Sequence, residues 1–324
     1  MGLFSTAQWL GELAVLAPCG EPDAPIARQA MGREAEGSAV YIRFMEIEAG
    51  VVDLAGWRPA EEEALGARDK DWMTVADGDG VSSWLFKRPR RTGLPELGAD
   101  LWAEVIACQV ATAVGVPAAE ARFAVSDGQR GVISCRIEGD LAHGNELLSA
   151  LNPDYPIAGV GRVPGYDLDA IENVLQPYAG SEAGMTAFES FAGYLAFDAL
   201  ISNTDRHHEN WAVIRTSGLL APTYDHGASL GFNVPERRRA DPSAAAARAR
   251  ARHFPEFGSL AELALSALAR LPSGSREIWL SRMSSLTPDR LRQVIDEVPS
   301  SWMSESARTF VFGLVQANQR RLTP

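Results

Sequence analysis

The side chains best suited to chemistry are concentrated in two segments, ISNTDRHHEN at residues 201–210 and APTYDHG at residues 221–227. They include Asp205, Asn210 five residues later, and Asp225 on the following strand-like segment. Transfer of a γ-phosphoryl group depends mainly on positioning and charge neutralisation, so a general base and the metal ligands must converge on one point. A short loop would bring Asp205 and Asn210 to the same side, and the neighbouring strand would add Asp225. The spacing predicts a phosphotransferase.

The same segments allow two other interpretations. A hydrolase could use as zinc ligands Asp205, His207, His208, Glu209 and His226. However, zinc-binding histidines on a helix usually lie about one turn apart, whereas the adjacent His207 and His208 would point in different directions. Alternatively, Asp205 caps a helix and His207 is a buried imidazole whose hydrogen bonds are satisfied. Phosphoryl transfer is the interpretation that we favour.

Composition limits the class of protein. With 324 residues, the chain is long enough for two lobes with separate cores. Its net charge of −12 argues against a general nucleic-acid binder. Its three widely separated cysteines form no C-x-x-C pair, which predicts neither a disulfide framework nor structural zinc. The sequence contains no apolar run of the roughly 20 residues that span a bilayer and no basic secretory leader, so we predict a cytoplasmic protein.

The predicted elements change character near the middle of the chain. Strands are predicted in the first half at 38–48, 72–75, 81–87, 122–125 and 131–137, around one helix at 101–114. The second half is predicted to contain helices at 188–202, 260–271, 288–298 and 306–322, and short strands at 211–215 and 222–225. This order predicts an α+β, bilobal, protein-kinase-like fold with a β-rich N-lobe and a mainly helical C-lobe. We assign residues 1–55 to an N-terminal extension, 56–140 to the N-lobe and 141–324 to the C-lobe.

A kinase also needs a cation at the α- and β-phosphates of ATP and a carboxylate that holds this cation. Lys87 ends the predicted strand SSWLFK, and strand alternation puts it on the same face as Leu85. Glu104 lies on the helix that follows. Either residue could be an ordinary surface charge. Their order relative to Asp205 and Asp225 favours a role in ATP binding for Lys87, and for Glu104 the two interpretations are balanced.

The loop that would cover the phosphates is less distinct, since the sequence contains no G-x-G-x-x-G. The candidate is LGARDK at residues 65–70, where Gly66 and Ala67 would let backbone N–H groups approach the phosphates and Lys70 follows them. The alternative, residues 78–80 with the sequence GDG, is better explained as a hairpin turn.

At this point the motifs resemble a known family. NTDRHHEN at 203–210 and PTYD at 222–225 are similar to the N-x-D-x-H-x-x-N and P-x-Y-D motifs of HipA-like serine/threonine kinases of toxin–antitoxin systems, which are distantly similar to phosphatidylinositol 3/4-kinases. The resemblance extends from about residue 60 to the C-terminus. It includes GARDK at 66–70 as the phosphate loop, FKRP at 86–89 as the ATP-lysine strand and HGNELL at 143–148.

The resemblance implies a role for each matching residue. Asp205 would be the catalytic base, Asn210 and Asp225 the Mg²⁺ ligands, Lys87 the ATP lysine, and His207 a residue that shapes the catalytic loop. It implies ATP and Mg²⁺ as cofactors, a serine or threonine of a protein as acceptor, for example in a tRNA-associated enzyme, and an antitoxin as a candidate partner. We expect no direct contact with nucleic acid or membrane.

The sequence departs from the family in two ways. The family's phosphate loop carries a serine whose phosphorylation switches the enzyme off, but residues 63–70 contain no serine or threonine. The chain is also shorter than the toxin in the N-terminal subdomain that contacts the antitoxin. Two other functions stay open: a lipid or small-molecule kinase on the same scaffold, and a nucleotide-binding pseudokinase or regulatory subunit.

One basic run stands out in this acidic chain. Residues 236–253, ERRRADPSAAAARARARH, follow the Asp225 segment, where a kinase keeps its substrate-binding loop. The run predicts either recognition of a phosphorylated or anionic substrate or an alanine-rich, solvated surface. From the sequence alone we slightly favour the second.

Overall fold

The computed structural model describes residues 50–62, 70–77, 80–90, 94–159 and 161–323. These residues form a six-stranded sheet with one long helix, followed by a small three-stranded sheet and a helical region. The α+β, two-lobed architecture predicted from the sequence is therefore confirmed. The strand predicted at 38–48 and most of the candidate phosphate loop, including Gly66 and Ala67, lie outside the described residues.

The N-lobe sheet has the strand order β1-β5-β6-β4-β3-β2. Its strands are β1 (Val51–Asp53), β2 (Arg58–Glu62), β3 (Lys70–Asp77), β4 (Gly80–Lys87), β5 (Ala121–Ser126) and β6 (Gln129–Cys135). Both predicted hairpins are present, as the antiparallel pairs β3–β4 and β5–β6. β1 pairs in parallel with β5, and it lies within the range that we assigned to the N-terminal extension.

Alternation along β4 explains how the sheet positions Lys87. Trp84 and Phe86 are buried in a small core with Met73 and Ile133. Because successive side chains of a strand point to opposite faces, Lys87 projects from the other face. There it approaches α1 (Ala99–Val114), the helix predicted at 101–114, which ends at Gly115 in the left-handed conformation that favours glycine.

The C-lobe is built around α4 (Ala187–Ile201), the helix predicted at 188–202, all of whose residues are buried. A helix that is apolar all round belongs in the centre of a core. α4 begins with a capping box, in which Thr186 and Glu189 satisfy each other's backbone N–H groups. The predicted helices α6 (Leu260–Ala269) and α9 (Glu305–Leu322) pack against it, and the predicted helix α8 (Pro288–Asp296) packs against α9.

The sequence did not reveal four helices and four strands. The strands are β1, β2, β7 (Leu141–His143) and β9 (Leu219–Leu220), and the helices are α2 (Gly144–Leu151), α3 (Leu168–Leu175), α5 (Pro242–Arg248) and α7 (Ser273–Ser285). α7 illustrates the reason, because its polar sequence buries only Trp279 and Met283. Two apolar contacts in thirteen residues leave no visible helical period.

The strand predicted at 222–225 is not formed. The small sheet consists of β7, β8 (Ala212–Ile214) and β9 (Leu219–Leu220), and the chain then leaves the ladder. Pro222 has no N–H group to donate to a sheet. Thr223 instead pairs with the segment after α1, where its N–H donates to Pro117 O at 3.0 Å and its carbonyl accepts from Ala119 at 2.9 Å. This contact joins the two lobes directly before Asp225.

The composition predicted neither a membrane-spanning segment nor a disulfide framework. Among the described residues, no helix is long and apolar enough to cross a membrane. Cys108 is a buried free thiol, but Cys135 is disulfide-bonded, so the expectation of no disulfide was wrong for Cys135. The cytoplasmic location stays a prediction.

Candidate active site

The catalytic loop, residues 202–210, leaves the C-terminal end of α4. Ser202 ends the helix in the left-handed conformation, with φ 55°, and its hydroxyl accepts a hydrogen bond from Asn318 of α9 at 2.8 Å. The loop that follows contains no helix. Asp205 therefore does not cap a helix, and that interpretation was wrong.

A buried ion pair holds the catalytic loop in place. The guanidinium of Arg206 binds both carboxylate oxygens of Asp198 at 2.8 Å, and it also donates to the hydroxyl of Thr223 at 2.7 Å and to the carbonyl of Asn210. Asn203 donates to the same carboxylate at 2.7 Å. Such two-pronged pairs fix orientation as well as distance. The Arg206 side chain thus ties α4, the C-terminal end of the loop and the segment before Asp225 together, while Asp198 also holds the N-terminal end of the loop.

The histidines of the motif form structural contacts. His208 accepts from the Tyr155 hydroxyl and donates to Gly159 O, both at 2.8 Å, and Nε2 of His226 pairs with the hydroxyl of Thr223 at 3.0 Å. Nδ1 of His207 accepts the N–H of Glu209 at 3.2 Å. Burial lowers the pKa of His207 to about 4 and that of His226 to about 3.

His208 does not fit the zinc interpretation, because both of its ring nitrogens are already engaged in hydrogen bonds. Across the described ranges, no cluster of three or more His, Cys, Asp or Glu side chains could hold a metal ion.

Asp205 has its two carboxylate oxygens in different surroundings. Oδ1 accepts a hydrogen bond from Nε2 of His253 at 3.1 Å and lies 3.7 Å from Nη1 of Arg252. Oδ2 accepts no hydrogen bond from the described residues, and the side chain is 23% exposed. Burial by itself would raise the pKa of Asp205, but the hydrogen bond to His253 and the nearby His207 hold this pKa below its ordinary value. One oxygen is therefore fixed while the other is left for a ligand.

Asn210 is also oriented with one oxygen available. Its side-chain NH₂ donates to the backbone carbonyl of Asp205 at 2.7 Å, and its Oδ1 accepts no hydrogen bond from the part of the chain that the structure describes. Asp225 has a φ of 57°, which is uncommon outside glycine and is typical of functional positions. Its side chain is 40% exposed. Amide and carboxylate oxygens are the ligands that Mg²⁺ prefers, so these two residues fit such an ion.

Lys87 connects the two lobes at this point. Its Nζ lies 3.2 Å from Oε1 of Glu104 on α1 and 3.2 Å from Oδ1 of Asp225. Both Lys87 and Glu104 are buried, which argues against surface charges. Lys70 lies directly opposite Lys87 in the β3–β4 pair. Of the site residues predicted from the sequence, Gly66 and Ala67 are the ones that fall outside the described residues.

Sequence reasoning missed Asp198, Arg206 and His253. Arg206 stood inside the motif but was assigned no role, and Asp198 is hidden in the apolar run of α4. The signal for His253 was the alternation of residues 250–253, RARH. Along these residues the two arginines are exposed and the histidine is buried.

Fold and site together define a two-lobed protein of the protein-kinase-like class. The chain belongs to the HipA-like C-terminal domain family, whose model matches residues 63–303. No curated protein matches the sequence.

Solved structures with a similar fold include the proinflammatory kinase CtkA of Helicobacter pylori. It is 14% identical with a TM-score of 0.61, and the match covers 84% of this chain and 98% of CtkA. HipA of Shewanella oneidensis MR-1, in a complex with HipB and operator DNA, is 14% identical with a TM-score of 0.48, covering 82% of this chain and 66% of HipA. The PknI kinase domain of Mycobacterium tuberculosis is 16% identical with a TM-score of 0.31, covering 84% of this chain and 100% of that domain.

Proposed function

We propose that this protein is an ATP- and Mg²⁺-dependent kinase that phosphorylates serine or threonine residues of a protein. The observation that carries the proposal is the convergence at Lys87. A buried lysine of the N-lobe contacts Glu104 on one side and Asp225 of the C-lobe on the other. This is the connection that a kinase requires between its ATP-binding and catalytic lobes. Membership of the HipA-like family supports a phosphotransferase.

Each residue has a defined task in this proposal. Lys87, held by Glu104, would bind the α- and β-phosphates of ATP, and the segment with Gly66, Ala67 and Lys70 would interact with the phosphates. Asn210 and Asp225 would hold Mg²⁺, which would supply charge neutralisation for the transferred phosphoryl group.

Asp205 accepts the proton of the attacking hydroxyl through Oδ2, because Oδ1 is already held by His253. His207, whose pKa is lowered by burial to about 4, supports the loop through its hydrogen bond with the N–H of Glu209.

The biological setting is part of the same proposal. Relationship to HipA suggests a toxin-type kinase in the cytoplasm with an antitoxin partner, and a tRNA-associated enzyme is a candidate substrate. The complete set of Lys87, Asp205, Asn210 and Asp225 argues against a pseudokinase.

The test is γ-phosphate transfer from labelled ATP to a bacterial protein extract, with ATP binding measured in parallel. Wild type should label protein in the presence of Mg²⁺. Asp205→Asn should bind ATP normally but transfer phosphate about 10²- to 10⁴-fold more slowly. Asp225→Asn should lose Mg²⁺-dependent transfer. Asp289→Asn, a matched change of an exposed aspartate on α8, should behave as wild type.

Two results would contradict the proposal in different ways. ATP binding without transfer would favour a pseudokinase or regulatory subunit. Absence of ATP binding would remove the kinase assignment altogether.

A further inference from the structure

The chain between α5 and α6 passes next to Asp205. α5 ends at Arg248, and a turn follows in which the N–H of Phe254 donates to Ala251 O at 3.1 Å. Exposure alternates along residues 250–253: Arg250 and Arg252 are exposed, whereas Ala251 and His253 are buried. We call residues 249–253 the acceptor edge. Its two arginines face outward, and its other side chains pack inward.

The inward face fixes the acceptor edge against the catalytic loop. His253 places Nε2 at 3.1 Å from Oδ1 of Asp205 and Nδ1 at 3.1 Å from Gly161 O. Both of its ring nitrogens therefore face acceptors. Ala251 packs into the main core, and Ala249 O accepts the N–H of Leu260 at 3.1 Å. The edge is thus anchored at both ends.

The outward face carries positive charge that the protein does not neutralise. Arg248 and Arg250 form neither an ion pair nor a side-chain hydrogen bond with the described residues. Arg252 is 65% exposed, and its one ion pair within the described ranges is the 3.7 Å approach to Asp205. Other arginines of the C-lobe, such as Arg206, Arg239 and Arg282, are paired. In a protein of net charge −12, two unpaired arginines and a third whose ion pair is with the base itself favour a ligand of opposite charge.

We propose that the acceptor edge recognises acidic or phosphorylated side chains next to the serine or threonine that is phosphorylated. This inference rests on the proposed kinase function and names its substrate class. Arg250 and Arg252 bind the anionic groups of the substrate, since guanidinium matches carboxylate and phosphate geometry. Binding of Arg252 to the substrate also draws its charge away from Asp205.

The position of the recognised group follows from distances. The acceptor oxygen must approach Asp205 to about 3 Å, and Arg252 lies 3.7 Å from the same carboxylate. An anion bound to Arg252 is therefore roughly 6 to 10 Å from the acceptor oxygen, which corresponds to two or three residues of extended chain at about 3.5 Å each. The recognised acid lies two or three residues from the acceptor.

Nucleic acid fits the acceptor edge less well than an acidic peptide. Single-stranded nucleic acid is usually held by a basic groove combined with aromatic platforms. The edge has no aromatic side chain apart from His253, which is buried. The overall negative charge also opposes a long polyanion more than a short acidic peptide.

The experiment compares peptides that share one acceptor serine and carry aspartate, phosphoserine, alanine or lysine at the flanking positions. Phosphorylation is measured as kcat/KM, and peptide binding by fluorescence anisotropy. Wild type should prefer aspartate or phosphoserine over alanine about three- to tenfold, and lysine should be the poorest. Arg250→Glu/Arg252→Glu should reverse the order of aspartate and lysine.

Arg237→Glu/Arg238→Glu is the matched control, because these exposed arginines of the same basic run precede α5. It should keep the wild-type preference and the wild-type rate of ATP hydrolysis. If wild type phosphorylated or bound all four peptides equally, the proposed recognition of acidic residues by the acceptor edge would be wrong, while the proposed kinase function would stand. Binding of single-stranded RNA in preference to the acidic peptides, lost in Arg250→Glu/Arg252→Glu, would assign the surface to nucleic acid instead. Failure of the kinase itself would appear separately, as absence of ATP binding.

Discussion

The catalytic loop and the acceptor edge meet at Asp205, but the arginines of the two regions are in opposite environments. In the loop, Arg206 is buried and its guanidinium is bound by Asp198, Thr223 and Asn210. On the edge, Arg250 and Arg252 are exposed and almost unpaired within the described residues. A buried charge must be paired because its desolvation is costly, whereas an exposed one adds little stability and stays available to a ligand. The comparison suggests that the loop provides geometry and the edge provides selectivity.

The largest effect should come from breaking the buried pair. Asp198→Ala would leave the Arg206 guanidinium buried without its carboxylate, and we expect a loss of about 3–5 kcal/mol in the free energy of unfolding. Urea denaturation of the full chain measures it. The control Asp198→Leu/Arg206→Met removes both charges and should lose less. A loss below about 1 kcal/mol in Asp198→Ala would contradict the role given to this pair.

The second prediction uses acid to disturb the buried histidines of the same region. His226 and His207 have pKa values of about 3 and about 4 in the folded protein, against an ordinary value of 6.5. Below pH 6.5 these histidines bind protons in the unfolded chain but stay unprotonated in the folded protein. The free energy of unfolding that is present at neutral pH therefore falls as the pH decreases.

Between pH 6.5 and 4 the contribution of His226 should fall by on the order of 3 kcal/mol. His226→Gln, measured by urea denaturation at both pH values, should lose markedly less stability than wild type. An equal loss in both proteins would show that His226 does not titrate as expected.

The third prediction tests where the two regions meet. His253→Gln keeps a hydrogen-bond donor but not the imidazole, and it should lower kcat roughly tenfold while the KM for ATP stays unchanged. The hydrogen bond to His253 helps to hold the pKa of Asp205 down. Because the base acts when deprotonated, the acid limb of the pH–rate profile should move to higher pH in the variant. His253→Ala should shift the limb further. A lower kcat without any shift would indicate a merely structural role.

The smallest effect should come from an exposed ion pair. Arg270 binds Asp169 at 2.6 Å and Glu172 at 2.9 Å near the surface. Arg270→Ala should change the free energy of unfolding by less than about 1 kcal/mol, because solvent screens such contacts. Urea denaturation of Arg270→Ala and Asp198→Ala under the same conditions compares the two variants directly. If Arg270→Ala lost as much free energy of unfolding as Asp198→Ala, exposed and buried ion pairs would not differ in stability as we expect.

Prediction from sequence succeeded wherever local spacing carries the information. α4 was visible because fifteen nearly continuous apolar residues need a core on every side, and the β3–β4 hairpin because β-branched and aromatic residues flank a glycine turn. It failed for α7, whose position depends on Trp279 filling a space beside Gly193 of α4. It also failed for the strand at 222–225, where contact with residues 117–119 replaced a ladder.

The sequence by itself determined the family and predicts which residues act on a phosphoryl group, since the spacing of Asp205, Asn210 and Asp225 is local. Only the tertiary structure decided how these residues are held. The contacts of Arg206 with Asp198 and of Lys87 with Glu104 and Asp225 span from 8 to 138 residues of chain. His253 reaches Asp205 from 48 residues away. Contacts over such separations depend on how lobes and loops pack, and no periodicity in the chain records them.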